Sequence, residues 1–134
     1  SNTFSTLILN NTTPGTLPAS LFTSTINNLT LNGSGGITAS ENMTVNGLIN
    51  LAYNNPSSTK GALDMGNYTL YLGVTSRFIG IGDVTGRMER SNLNSNTVYT
   101  FGNPYTSINI PSGGSIPNSV YVKVTIGSYG DWPT

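Results

Sequence analysis

Five acidic and five basic side chains are all the formal charge this chain carries, so acid–base or metal chemistry would have to come from them. They are Glu41, Asp64, Asp83, Glu89 and Asp131, and Lys60, Arg77, Arg87, Arg90 and Lys123. There is no histidine and no cysteine. That removes imidazole-activated nucleophiles, thiolate metal sites, disulfides and covalent haem attachment. Glycoside hydrolysis needs two carboxyl groups about 5 to 9.5 Å apart, one with a raised pKa. Asp83 and Glu89 could meet across a turn, but so could any two acids in a small domain, and solvated surface charge is the plainer reading. On an extended strand Arg87 and Glu89 share a face and Arg90 takes the other, which predicts a local ion pair rather than catalysis. Calcium could take oxygens from Asp64 or Asp83, yet no acidic loop gathers such ligands. No catalytic residue, metal ligand or cofactor is expected.

Neutral side chains offer binding chemistry instead. Tyr71, Tyr121 and Trp132 are candidates for stacking on a sugar ring, although tyrosine is also a good strand former and cross-strand or core packing is its commoner role. Asn-x-Ser/Thr acceptor sites occur at Asn10, Asn11, Asn28, Asn32, Asn42 and Asn67, about as many as chance gives in a chain so rich in these residues. Thr30, Thr38, Thr44 and Thr69 read as outward threonines, but their unequal spacing does not make the regular ladder an ice-ordering surface would want.

The elements that hold these residues follow from composition. Only 7% of residues are charged and the formal net charge is zero, against about 25% charged in an average soluble domain. Long-range attraction to nucleic acid or anionic lipid is therefore not expected. Asn, Ser, Thr and Gly make up roughly half the chain, a supply of turn formers and β-branched residues. No window carries apolar residues at helical spacing on good helix formers, and no apolar run approaches the ~18 residues of a membrane-spanning helix. The 134 residues are read as one all-β domain with negligible helix.

A short repeat organises the first half. Asn28-Leu29-Thr30-Leu31-Asn32-Gly33 recurs as Asn42-Met43-Thr44-Val45-Asn46-Gly47, with a looser copy in Asn67-Tyr68-Thr69-Leu70 before Gly73. In each, apolar residues flank a threonine and Asn or Gly closes the ends, the signature of a short strand between turns. Such strands are too short to stand alone but bury their apolar beads when stacked at about 4.8 Å. The expectation is a β-solenoid-like stack over about residues 5–75, its repeats in 23–75, continuing into longer antiparallel strands over about 76–127. Leu31, Val45, Leu51 and Leu70 should be buried, and Thr30, Thr44 and Thr69 exposed. The clearest later strand is Val120 to Ile126, with Val and Ile on one face and Tyr121, Lys123 and Thr125 on the other.

The residues from Ile26 to Gly73, with their Asn-Leu-Thr-Leu-Asn-Gly and Met-Thr-Val-Asn-Gly strings and Leu63-Asp64-Met65-Gly66-Asn67-Tyr68-Thr69-Leu70, resemble the repetitive β-solenoid modules of large secreted surface proteins of Bacteroidetes-type bacteria. Val84 to Arg90 and Tyr99 to Gly102 are similar to the segment that often follows the solenoid there. The resemblance implies an extracellular, adhesin-like scaffold and brings no catalytic residues. The insert from Tyr53 to Lys60 departs from the pattern by breaking the coil length.

Residues 1–22 read as an extended N-terminal strand, with Phe4, Leu7 and Leu9 as candidate assembly residues, then a Pro/Gly connection through Pro14, Gly15 and Pro18. A start at Ser1 and a stop at Thr134 read as an excised piece of something longer. The strand either pairs with a neighbouring copy by β-addition or forms the first coil of its own domain. The expected function is a non-catalytic, secreted or cell-surface structural or adhesive module, assembling with copies of itself or other surface proteins into a fibre or sheath. The alternative is a carbohydrate-binding module that takes polysaccharide on its exposed aromatic residues.

Overall fold

The computed structural model describes residues 4–18, 25–53 and 60–127. It is all-β: the described residues form strands, turns and loops without a helix. The chain winds as a three-sided β-solenoid of about three turns, which stacks four layers on its first side. The first coil holds β1 (Phe4–Leu9) and β2 (Gly15–Thr16), and the second β3 (Ile26–Leu31), β4 (Ile37–Thr38) and β5 (Met43–Val45). The third holds β6 (Leu48–Leu51) and the long β7 (Leu63–Leu72); the last holds β8 (Arg77–Gly80) and β9 (Val84–Ser91). A hairpin of β10 (Thr97–Thr100) and β11 (Ser107–Ile110) and a final strand, β12 (Ser119–Val124), complete the chain.

Each side is a parallel ladder. On the first side β1, β3, β6 and β8 stack in register, placing Leu7, Leu29, Ile49 and Phe78 in one column and Leu9, Leu31, Leu51 and Gly80 in the next. The second side stacks Gly15, Ile37, Leu63 and Val84. The third stacks Met43, Leu70 and Met88, with Val45, Leu72 and Arg90 beside them. Because side chains alternate across a strand, these columns point into the solenoid and form one core, in which Leu29, Ile49, Leu63, Leu70 and Met88 are fully buried. Leu31, Val45, Leu51 and Leu70 are buried as expected.

The repeat marks corners and strands but not the coil. Leu29 to Leu31 lie on the first side, whereas Met43 to Val45 lie on the third and stack on Leu70, Tyr71 and Leu72. The copy at Asn67 is thus two residues out of register with the one at Asn42. Its threonine, Thr69, sits next to the bulge in β7 with its N–H donated to Asn42 Oδ1 at 2.9 Å, and it is buried rather than exposed. Thr30 and Thr44 are only half-exposed, since an outward residue in a ladder has neighbours above and below. The repeated asparagines have a structural task, Asn28 Oδ1 accepting the Leu48 N–H across coils as Asn42 does for Thr69.

The solenoid also runs further than residue 75. β8 and β9 are parallel members of the last coil, and apart from an isolated bridge between Gly61 and Val84 antiparallel pairing begins at the hairpin and where β12 lies on β9. β9 turns the corner between second and third sides at Gly86, whose φ of 96° and whose approach to Met65 leave no room for a side chain. Steps of 22, 20 and 29 residues separate the stacked Leu9, Leu31, Leu51 and Gly80. The longest step contains the Tyr53 to Lys60 insert, most of which lies outside the described residues.

Candidate functional site

Among the described residues, candidate residues converge on the outward face of the third side. Thr44, Tyr71, Glu89 and Tyr121 are successive Cα partners across β5, β7, β9 and β12 and so form a row. One step along, Thr69, Arg87 and Lys123 form a second row on the same face. Tyr71 and Tyr121 are 38% and 54% exposed, so two of the three aromatic candidates flank Glu89 at the surface. Strands lie about 4.8 Å apart, which sets the two tyrosines about 10 Å from each other. The Arg87 guanidinium stands over the Tyr121 ring, 4.1 Å from its centroid. The expected Arg87–Glu89 ion pair is not formed: neither Arg87 nor Lys123 has a carboxylate within ion-pairing distance among the described residues. Arg87 has taken the aromatic face across the strands instead of its neighbour along one. Trp132 lies outside the described residues.

Arg90, which strand phase sets on the face opposite Arg87 and Glu89, is the most deeply buried ionisable side chain among the described residues, 1% exposed. It occupies the inward position above Val45 and Leu72 in the last coil. Its Nε and Nη2 donate to Thr100 O at 3.1 and 2.8 Å, Nη1 to Gly73 O at 3.0 Å and Nη2 to Ser76 O at 2.8 Å. Tyr99 and Phe101 place rings 5.4 Å from the guanidinium carbon. Burial lowers its pKa to about 10, partly offset by Tyr99, so it stays cationic at neutral pH. The three carbonyls belong to the corner after β7 and to the hairpin, and Arg90 ties the two together. Strict alternation from Val84 through Gly86 and Met88 was the signal that put Arg90 inside.

The carboxylates Asp64, Asp83 and Glu89 do not converge. Asp83, in the turn before β9, accepts from Asn103 Nδ2 at 2.8 Å, while Glu89 belongs to the third side. Asp64 Oδ1 accepts from the Gly66 N–H at 2.9 Å and Oδ2 pairs with Lys60 at 3.7 Å. No group of three or more acidic residues that could hold a metal ion occurs among the described residues. A groove of about 380 Å3 beside the second side, walled by Gly35, Gly36 and Gly61 backbone, lies away from the tyrosines.

The proposed assembly strand is the first rung of its own domain. β1 pairs in parallel with β3, with Leu7 and Leu9 packed against the core and Ile8 56% exposed. Phe4 belongs to β1 by its backbone. No described strand lies on the other edge of β1. The far end is built differently, because β12 crosses the last coil antiparallel and the hairpin folds against it.

Neither a protein-family model nor a curated protein nor a solved structure matches the chain. No helix among the described residues is long and apolar enough to cross a membrane.

Proposed function

We propose that the chain is a non-catalytic structural or adhesive module of a secreted, cell-surface protein, joined to further copies of itself or to other surface proteins through the outer edge of β1. The observation that carries this reading is the difference between the ends. At one end an antiparallel strand closes the third side on β9 and a hairpin folds against the last coil, while the outer edge of β8, unpaired among the described residues, carries the charged Arg77. At the other, β1 offers a strand edge, Phe-Ser-Thr-Leu-Ile-Leu, with no charge and no proline to discourage pairing. The resemblance of residues 26–73 to bacterial surface solenoids supports the extracellular setting.

Leu9 O accepts from the Asn32 N–H at 2.8 Å, so the polar backbone of Leu9 and, by alternation, of Leu7 faces β3. The N–H of Ile8 then faces outward, where proline costs no ladder bond. The expected result is a full chain whose mass by light scattering rises with concentration, and an Ile8→Pro chain of unchanged circular dichroism that stays monomeric. A full-length chain that is strictly monomeric at high concentration, or an Ile8→Pro chain that associates equally, overturns the reading.

A further inference from the structure

We infer that the outward face of the third side binds an acidic polysaccharide, one with carboxylate-bearing sugar units, across Tyr71, Arg87, Glu89, Tyr121 and Lys123. This goes beyond the scaffold reading and does not depend on it, since the face lies on the side of the solenoid and the edge of β1 at its end.

The argument starts from charge. The chain is neutral overall, yet this face places Arg87 and Lys123 side by side as Cα partners and leaves both without a carboxylate partner among the described residues. Among the described residues of this face Glu89 is the single acid, so two adjacent cations leave a net positive charge that an anion placed between them would offset. Arg87 is also held: its guanidinium lies on the Tyr121 ring, which fixes a planar fork whose N–H groups match a carboxylate. A flexible surface arginine would lose more side-chain entropy to reach the same geometry.

The aromatic row supplies the second half. The hydrophobic face of a pyranose packs on a tyrosine ring while its hydroxyls stay free to hydrogen-bond. Tyr71, 38% exposed, carries the stacking, while Tyr121, two strand intervals away at about 10 Å, already holds Arg87 over its ring and so sets the cationic fork about two sugar units from the stacked one. Between them Glu89 can accept hydroxyl hydrogens only, and its charge drives a ligand carboxylate away from that row. The neighbouring row with Arg87 and Lys123 lies about 7 Å along the strands, roughly the width of a ring. A saccharide running across β7, β9 and β12 would therefore set hydroxyls toward Glu89 and its carboxylate toward Arg87 and Lys123. A neutral glucan would leave the cations unused, and a polyanion without flat apolar rings would leave Tyr71 unused.

Affinity electrophoresis of the full chain tests this in gels containing polygalacturonate, hydroxyethyl cellulose or double-stranded DNA. The inference expects retardation by polygalacturonate well above that by the other two. Tyr71→Ala and Arg87→Leu should each weaken it about tenfold, the scale of one lost stacking or ionic contact. Tyr71→Phe, which keeps the ring, should retain it, and all variants should match the parent in thermal unfolding to within a few degrees, as surface changes do. Absence of retardation by polygalacturonate overturns the inference. So does equal retardation by the neutral polymer, retardation by DNA that matches it, or binding that survives both substitutions.

Discussion

Arg90 sits where the columns below it hold Val45 and Leu72, and its charge is balanced by carbonyl dipoles rather than by an acid. A buried ion without a counter-ion is tolerated only if its donors are used, and here four hydrogen bonds run to Gly73, Ser76 and Thr100. Lysine cannot reproduce that fork, and methionine fills the space but leaves the carbonyls bare. Urea unfolding at pH 7 should therefore show Arg90→Lys and Arg90→Met each losing about 2–5 kcal/mol. A loss under about 0.5 kcal/mol would place Arg90 among ordinary surface charges. The pH dependence has a definite sign. Burial lowers the folded pKa to about 10, below the ordinary arginine value, so the unfolded chain binds more protons only between about pH 10 and that ordinary value, and stability from this group alone rises with pH there. Below about pH 9 both states are protonated, and the difference between parent and Arg90→Met should be flat from pH 5 to 9.

At the scale of strands, alternation read from the sequence located the core beads, and stacking set what alternation alone could not. Leu31 and Thr44 show the contrast. Leu31 is inside a column and Leu31→Asp should cost several kcal/mol by burying an unpaired charge, while Thr44→Asp on the outer face should cost under about 1 kcal/mol. Equal losses in thermal unfolding would mean the inward and outward faces are misassigned. Gly80 tops the Leu9–Leu31–Leu51 column with φ of 97°, and a Cβ there would lie 2.2 Å from Leu51 O. Gly80→Ala should thus cost at least about 2 kcal/mol. Circular dichroism should give a helical fraction below about 15%, half the usual globular share. Tyr71, Tyr121 and the apolar beads were legible because period-2 patterning needs only neighbours in sequence. The parallel fate of β8 and β9, the burial of Thr69 and the Arg87–Lys123 pairing were not, because register between coils depends on corner lengths and on the bulge after Asp64. Arg90 was half-legible: strand phase set it on the face opposite Arg87 and Glu89, but the carbonyls that receive its guanidinium come from a corner and a hairpin that sequence alone does not bring together.

For the whole molecule, β12 closes the third side at the last coil, β8 leaves an outer edge on the first side that carries Arg77, and β1 leaves an uncharged edge at the first coil, so an added strand should arrive on β1. Amide exchange in β1 reports this residue by residue, because Leu7 and Leu9 direct their N–H groups to β3 and Ile8 directs its own outward. The most direct measurement is hydrogen exchange by NMR on the full chain at low and high concentration. The account predicts protected Leu7 and Leu9 amides at both concentrations, and an Ile8 amide that exchanges fast when dilute and slows when concentrated as a second chain pairs with it. An Ile8 amide equally fast at both concentrations would contradict it.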